Sequence, residues 1–191
     1  MRKHLWFSWK KPQIKPVESD WPDVVQNRKI FRAFIWAAVL KGAWFLFIDE
    51  SFFNPRKLRY KSWISKDDPK AVLQLNYSKG VAAMCALSDQ GVLYSVCWKG
   101  TNSAREALLF FIDLERMLKE KEGWHYESYR KKLIICFDNA SIHLTDEIYT
   151  FFRVRGLQVV TLPQYTPEWN PVEKVFSLVK TRLVRSNLVT E

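Results

Sequence analysis

The sequence predicts an α/β fold in which helices flank a five-stranded mixed sheet. Short apolar runs bounded by turn residues recur along the chain, which is typical of buried strands. Two of these runs, 81–88 and 91–98, flank Asp89-Gln90-Gly91 and predict a hairpin. The last two runs alternate with helical patterns. The first three strands should therefore be antiparallel neighbours, and the last two should be parallel because crossovers join them.

Size and composition predict one soluble domain with a nucleic-acid partner. The chain has 191 residues, of which 48% are hydrophobic and 15% aromatic, so it can bury a substantial core. Its net charge of +10 favours a polyanion, although a scattered basic surface without such a partner is the alternative. The three cysteines form no CxxC pair, which argues against a zinc site and for a reducing, intracellular setting. No apolar run has the length of a membrane span, so no membrane partner is expected.

The chain divides into an arm, residues 1–22, and one domain, residues 23–191. The arm carries three prolines and several lysines, which oppose regular structure and suit phosphate contact or simple solvation. A helix is predicted from Asp23 to Lys41, where Gly42 ends it. Its apolar positions, spaced by three and four residues, are Val24, Val25, Ile30, Phe31, Phe34, Ile35 and Ala38.

The middle of the chain predicts a strand, a hairpin and a helix. The run 43–51 suits a fully buried strand, and Trp63 and Ile64 suggest a short strand or packed loop within a polar stretch. After the hairpin, Asn102 or Ser103 can cap a helix that runs to Glu122. Residues 124–130 are expected to form a polar linker.

The last third predicts a strand, a helix, a second strand and a final helix. The strands are 132–138 and 157–162. Thr145 is a suitable cap for the helix between them, which Gly156 ends after Arg155. The final helix should begin at Pro171, a favoured first-turn residue, and run to Arg185.

Three carboxylates follow or end these elements. Asp49 ends the apolar run 43–48, Asp138 ends the run 133–137, and Glu173 follows the Asn170-Pro171 turn. Ligand sites in α/β sheets form at the carboxyl ends of strands, so the two aspartates should meet at one edge. Oxygen ligands of this kind suit Mg²⁺ and could hold two divalent metals. Taken singly, each acid could instead be a turn or capping residue.

Two further acids are rivals of these three. Glu50 adjoins Asp49, and strand alternation should turn one of the two away from the site. Glu168 lies between two prolines in the loop before Glu173, where its direction is harder to derive, so Glu173 is preferred.

Three segments carry a family resemblance. FIDES (47–51), FDNASIH (137–143) and LPQYTPEWNPVEKVFSLVK (162–180) resemble signatures of the DDE transposases of the mariner superfamily and their bacterial insertion-sequence relatives. The spacing between the second and third acids, residues 139–172, is similar to that of one subgroup, and SWKKPQIKP (8–16) resembles the family's interdomain linker.

The resemblance implies a ribonuclease-H-like fold and metal-dependent DNA cleavage and strand transfer at transposon ends. It assigns Asp49, Asp138 and Glu173 as catalytic ligands of Mg²⁺, with Mn²⁺ as a substitute. The expected partners are transposon-end and target DNA, with the chain acting as a homodimer. The expected location is with genomic DNA, in the nucleus or in the bacterial cytoplasm.

The front of the chain departs from the family pattern. Family members carry a helix-turn-helix region before the linker, and here Met1 lies almost within the linker. A fragment, a gene that lost its DNA-end reader, and a reader on a separate chain are the three interpretations.

Candidate DNA contacts lie near the acids and on the last helix. They are Asn139, His143, Tyr165, Trp169, Asn170, Lys180 and Arg182. Each has a structural alternative: a turn asparagine, a helix-start histidine, an aromatic plug that holds the loop, or a solvated basic face. Two other functions stay open, a domesticated non-catalytic DNA-binding or assembly protein and a nuclease of the same fold.

Overall fold

A computed structural model describes residues 16–54, 80–139 and 145–186. Most of the predicted arm, the suggested strand at Trp63 and Ile64, and the candidate His143 lie outside the described residues. Within the described ranges, no helix is long and apolar enough to cross a membrane.

One helix precedes three consecutive strands in the described chain, two helices follow them, and then strands and helices alternate to the end. The strands are β1 (Trp44–Phe53), β2 (Val81–Ser88), β3 (Gly91–Lys99), β4 (Leu133–Phe137) and β5 (Gln158–Thr161). The helices are α1 (Pro22–Leu40), α2 (Ala104–Glu122), α3 (Tyr126–Arg130), α4 (Asp146–Arg155) and α5 (Val172–Ser186). Short 3₁₀ turns cover Val17–Asp20, Gly123–His125 and Pro167–Trp169.

The five strands form one mixed sheet in the order β3-β2-β1-β4-β5. β1 pairs antiparallel with β2, which pairs antiparallel with β3. On its other side β1 pairs parallel with β4, and β4 pairs parallel with β5. The predicted sheet, three antiparallel strands followed by two parallel ones, is confirmed.

Helix boundaries follow from local capping. Ser103 and Glu106 form a reciprocal capping box at the start of α2. The Thr145 hydroxyl accepts a hydrogen bond from the Ile148 N–H, and Gly156 adopts a left-handed conformation that ends α4.

The prediction of a polar linker over 124–130 is wrong, because this stretch contains α3. Tyr126 drives the helix, since its ring is buried in the core while its hydroxyl donates a hydrogen bond to Glu115. Burial of that ring, together with the packing of Tyr129 against the same core, stabilises a short helix whose other residues are polar.

One face of the sheet carries the larger core. Alternate residues of the strands, such as Leu46, Ile48 and Ile135, pack against α2, α3 and α4. Four phenylalanines fill the centre and contact one another in edge-to-face, tilted and stacked geometries, namely Phe110, Phe111, Phe137 and Phe152.

The opposite face is covered by α1 and α5 through two small clusters. Near α1, Ala38 packs with Ile134 and Cys136 of β4. Near α5, Val172 and Phe176 pack with Ala83 and Cys85 of β2. The two clusters meet at Phe47 of β1, which packs against both, and the surface between the two helices is left for a pocket.

The buried face of α1 is narrower than its apolar pattern predicts. Val24 and Ala38 are buried, whereas Ile30 and Phe34 are exposed. The reason is that Ala38 is the α1 residue that joins the cluster on β1, β4 and β5, so much of the apolar stripe extends beyond the surface available to cover it.

Candidate active site

Asp49 lies inside a strand, and the expectation that it ends one is wrong. β1 continues to Phe53 because β2 remains paired with it as far as Phe53↔Val81. The parallel partner β4 is shorter and ends at Phe137. The side chain of Asp49 is only 6% exposed, and its Oδ1 accepts the backbone N–H of Glu50 at 2.8 Å.

Asp138 follows the last residue of β4, as predicted. β1 and β4 pair in parallel up to Phe47↔Cys136, so continuing this register by two residues brings Asp138 beside Asp49. Both acids continue the alternation of the face that α1 and α5 cover, which includes Phe47 and Cys136.

Glu173 lies in the first turn of α5. The helix begins after a structured turn, in which the Glu173 N–H donates to the Asn170 carbonyl at 3.2 Å. Val172, the preceding residue, is fully buried against β2, so the start of α5 is anchored beside the sheet.

The three acids line one open pocket of about 410 Å³. The rest of its lining comes mainly from the loop between β5 and α5, residues 162–170, together with Asn139. The tertiary structure therefore brings together three carboxylates that are far apart in the sequence.

The three carboxylates are not gathered into a closed metal shell. Across residues 16–54, 80–139 and 145–186, no three acidic, histidine or cysteine side chains are grouped closely enough to enclose a cation. The donor set is nevertheless all carboxylate, which suits the hard cations Mg²⁺ and Mn²⁺ better than zinc. The residues present fit such a metal in kind.

The buried thiol of Cys85 lies beside the pocket of the three acids. Cys85 pairs with Asp49 across β1 and β2. Burial, followed by the negative charge of Asp49, raises the pKa of Cys85 to about 11. The thiol is therefore protonated at neutral pH and is inert beside the carboxylate.

Glu50 and Glu168, the two rival acids, do not line the pocket. The carboxylate of Glu50 accepts a hydrogen bond from the side-chain amide of Asn102, at the start of α2. Glu168 lies on the 3₁₀ turn before α5 and is exposed. Strand alternation therefore separates Asp49 from Glu50 as expected.

Asn170, a predicted DNA contact, is buried and contributes to the lining of the pocket. The residue is 3% exposed, its Nδ2 donates to the Ile48 carbonyl at 3.3 Å, and its Oδ1 accepts the Val172 N–H at 3.2 Å. It joins the backbone adjacent to Asp49 to the start of the helix that carries Glu173.

Tyr165 and Trp169 occupy different surroundings in the loop. Trp169 is half-buried, stacks on Phe31 with ring centroids 5.9 Å apart, and lies under the Arg32 guanidinium at 5.6 Å. This packing agrees with the aromatic plug that the sequence allowed. Tyr165 lines the pocket and is 40% exposed, so its ring remains available to a ligand.

Three predicted DNA contacts remain among the described residues, namely the amide Asn139 and the exposed cations Lys180 and Arg182. Asn139 lines the pocket and donates from Nδ2 to the Leu162 carbonyl at 2.9 Å, which connects the end of β4 to the loop. Lys180 and Arg182 are exposed on α5, outside the pocket lining. The Lys180 ammonium lies 5.5 Å from the centre of the Phe53 ring.

The sequence did not single out Arg28 or Thr166. Arg28 of α1 donates from Nη2 to the carbonyls of Gln164 and Tyr165, at 3.4 and 3.2 Å. The buried Thr166 donates from its hydroxyl to the Pro163 carbonyl at 2.6 Å. A threonine between two prolines is a weak signal for such a turn, and no pattern connects Arg28 to a loop 136 residues away.

A family profile described as "DDE superfamily endonuclease" matches residues 45–190. This match covers most of the chain, including all three acids, and the chain belongs to the DDE endonuclease superfamily. The family expected from the three sequence segments is thereby confirmed. No curated protein matches the sequence.

Solved structures of Mos1 mariner transposase share the fold. A pre-cleavage Mos1 transpososome is 19% identical with a TM-score of 0.71, and the match covers 94% of this chain and 54% of that one. A Mos1 strand transfer complex is 20% identical with a TM-score of 0.67, over 94% and 53%. The isolated Mos1 catalytic domain is 15% identical with a TM-score of 0.64, over 93% and 76%.

These likenesses establish the fold, which is the expected ribonuclease-H-like one. The chain spans about half the length of the Mos1 transposase chains in the first of these complexes. Other Mos1 structures contain Mg or Mn, as their names state.

Proposed function

We propose that this chain is the catalytic domain of a transposase, which cleaves DNA at transposon ends and transfers the strands by phosphoryl transfer. The observation that carries the proposal is the pocket lined by Asp49, Asp138 and Glu173, within a member of the DDE endonuclease superfamily. Its net charge of +10 suits a nucleic-acid substrate.

Asp49, Asp138 and Glu173 would hold two divalent metals, Mg²⁺ or Mn²⁺, which when bound supply an activated nucleophile and stabilise the leaving oxygen. The fit rests on the all-carboxylate donor set and on the two aspartates that neighbouring strands place side by side.

The protein's own residues would position these groups and the DNA. Asp49 is held within a paired strand, and Asn170 joins that strand to the start of α5. These restraints limit rearrangement at the site, which is a recognised source of catalytic efficiency. Tyr165 is placed to stack on an unpaired base, while Lys180 and Arg182 are placed to contact phosphates away from the pocket.

A cleavage assay with labelled transposon-end DNA tests the enzymatic part of the proposal. We expect strand scission with Mg²⁺ or Mn²⁺ and none with a chelator. The absence of cleavage with either metal, from a folded protein that binds the DNA, would favour the non-catalytic alternative.

A strand-joining assay separates a transposase from a nuclease of the same fold. We expect 3′ ends generated at the transposon terminus to become covalently joined to target DNA. Cleavage without joining would favour the nuclease. The homodimer, a separate end-reading chain and the location with genomic DNA belong to the same proposal, and light scattering of the DNA complex would test the dimer.

A further inference from the structure

We infer that Arg28 of α1 is a positioning residue, which holds the loop of residues 163–166 so that Tyr165 faces the pocket of the three acids. This inference rests on the proposed function for its catalytic consequence. It goes beyond the family match, because that match begins at residue 45 and α1 precedes it.

The backbone of Tyr165 has an unfavourable conformation that needs an explanation. Among the described residues, it is the non-glycine residue with a positive φ, 57°. Its Cβ crowds the backbone in that region, which bulky side chains rarely enter. Such a conformation persists where surrounding contacts hold it, and it occurs disproportionately at functional sites.

The contacts that hold it come from two directions. Within the loop, the Thr166 hydroxyl donates to the Pro163 carbonyl, and the Trp169 N–H donates to the Thr166 carbonyl at 2.9 Å. From outside, one nitrogen of the Arg28 guanidinium reaches the carbonyls of both Gln164 and Tyr165. A charged donor shared between consecutive carbonyls restrains the peptide that sets the direction of Tyr165.

Arg28 lies on a face of α1 that contacts this loop through three side chains. Arg28, Phe31 and Arg32 are spaced by three and four residues, so they lie on one side of α1. Phe31 and Arg32 both contact Trp169, at the far end of the same loop. The three side chains therefore hold both ends of the segment that leads from β5 to Glu173.

Hydrogen exchange tests the holding role without DNA or metal. In Arg28→Met, which keeps the apolar stem, we expect the amides of Trp169 and Asn170 to exchange at least about tenfold faster, because a lost charged hydrogen bond is worth that much. Lys29→Met removes the neighbouring exposed charge and should leave both amides unchanged. Equal protection in the wild type and Arg28→Met would overturn the inference.

Cleavage kinetics test whether the holding acts through Tyr165. We expect Arg28→Met and Tyr165→Gly each to lower kcat by about tenfold, and the double variant to be no worse than Tyr165→Gly alone. Glycine adopts a positive φ freely and has no ring to direct, so the hydrogen bonds from Arg28 no longer matter once Tyr165 is replaced by glycine. If kcat of the double variant falls by the product of the two single losses, Arg28 acts independently of Tyr165.

Two controls keep the result interpretable. If Arg28→Met does not fold, Arg28→Gln replaces it, since its shorter, neutral side chain removes the charged donor, and the same faster exchange is expected. If the wild type shows no cleavage with any metal, the proposed function fails, and the exchange measurement still decides whether Arg28 holds the loop.

Discussion

The two faces of the sheet are built differently, although the same strands supply both. The face under α2, α3 and α4 is packed with large side chains, including Phe111 and Phe152. The face under α1 and α5 carries two smaller clusters, in which small residues such as Ala83 and Cys136 lie beside larger ones such as Phe176. The large continuous core fills space and stabilises the fold, whereas two separate clusters leave a gap between the two helices.

The acids lie on the less filled face. A metal and a DNA strand need open volume and polar groups, which a close-packed aromatic core cannot provide. The face under α2, α3 and α4, the first face, should therefore determine the stability of this protein. The face under α1 and α5, the second face, should determine its activity. Five measurements test this division.

The largest expected effect is on the second face. Asp49→Asn, Asp138→Asn and Glu173→Gln should each lower cleavage by about a thousandfold, the order of effect seen when one preorganised electrostatic partner is removed. Their melting temperatures should stay the same or rise, because like-charge repulsion is relieved. Glu168→Gln, outside the pocket, is the matched control. Wild-type cleavage by any one of the three variants would remove that residue from the site.

The next effect is on the first face. Phe152→Ala should lower the free energy of unfolding by about 3–5 kcal/mol, because it opens a cavity among packed rings. The exposed Phe34 provides the control, since Phe34→Ala should change stability by less than about 1 kcal/mol. Urea denaturation of both variants gives the comparison. Similar losses for both would mean that the two faces contribute equally.

The two hydrogen bonds of the Asn170 side chain should matter for the stability of the protein as well as for the position of the acids. Asn170→Ala leaves the Ile48 carbonyl and the Val172 N–H without their partner and should cost about 1–3 kcal/mol. Asn170→Asp keeps the acceptor for Val172, but it places a buried charge against the Ile48 carbonyl and beside the three acids. At neutral pH we expect chemical denaturation to show a loss at least as large as that of the alanine variant. An alanine variant as stable as the wild type would exclude a positioning role.

Metal binding should stabilise the protein through the second face. At a free Mn²⁺ concentration ten times its dissociation constant, the gain is about 1.4 kcal/mol, or a rise of about 3–5 °C in melting temperature. Glu173→Gln and Asp49→Asn should lose most of this rise. A wild-type melting curve that is insensitive to millimolar Mn²⁺ and Mg²⁺ would contradict the proposed ligands.

The smallest effect concerns the thiols. Burial raises the pKa of Cys136 to about 12 and, with Asp49, that of Cys85 to about 11. At pH 8 a thiol reagent should therefore modify only the exposed Cys97. The unfolded thiols ionise near pH 9, before the folded ones, so stability should fall slightly as pH rises from about 9 to 11. Rapid labelling of all three thiols at pH 8 would show that the second face opens readily.

Much of the fold was predictable because it depends on local patterns. The hairpin around Asp89-Gln90-Gly91, the capped α2 and the strands β4 and β5 follow from periodicity and turn residues. α3 was not predictable, since its single buried ring, Tyr126, is recognisable only when Glu115 and the core are in place. The length of β1 was likewise set by its partner β2.

The family, the antiparallel and parallel groups of strands and the three candidate acids were predictable from the sequence. These depend on residue types, on their spacing and on the rule that hairpins give antiparallel neighbours and crossovers give parallel ones. The pairing of β1 with β4, the burial of Asn170, the turn of Glu50 to Asn102 and the reach of Arg28 to the loop before Glu173 are visible only in the folded chain. Contacts between distant segments depend on where the packed elements place them, and periodicity along the chain carries no record of those positions.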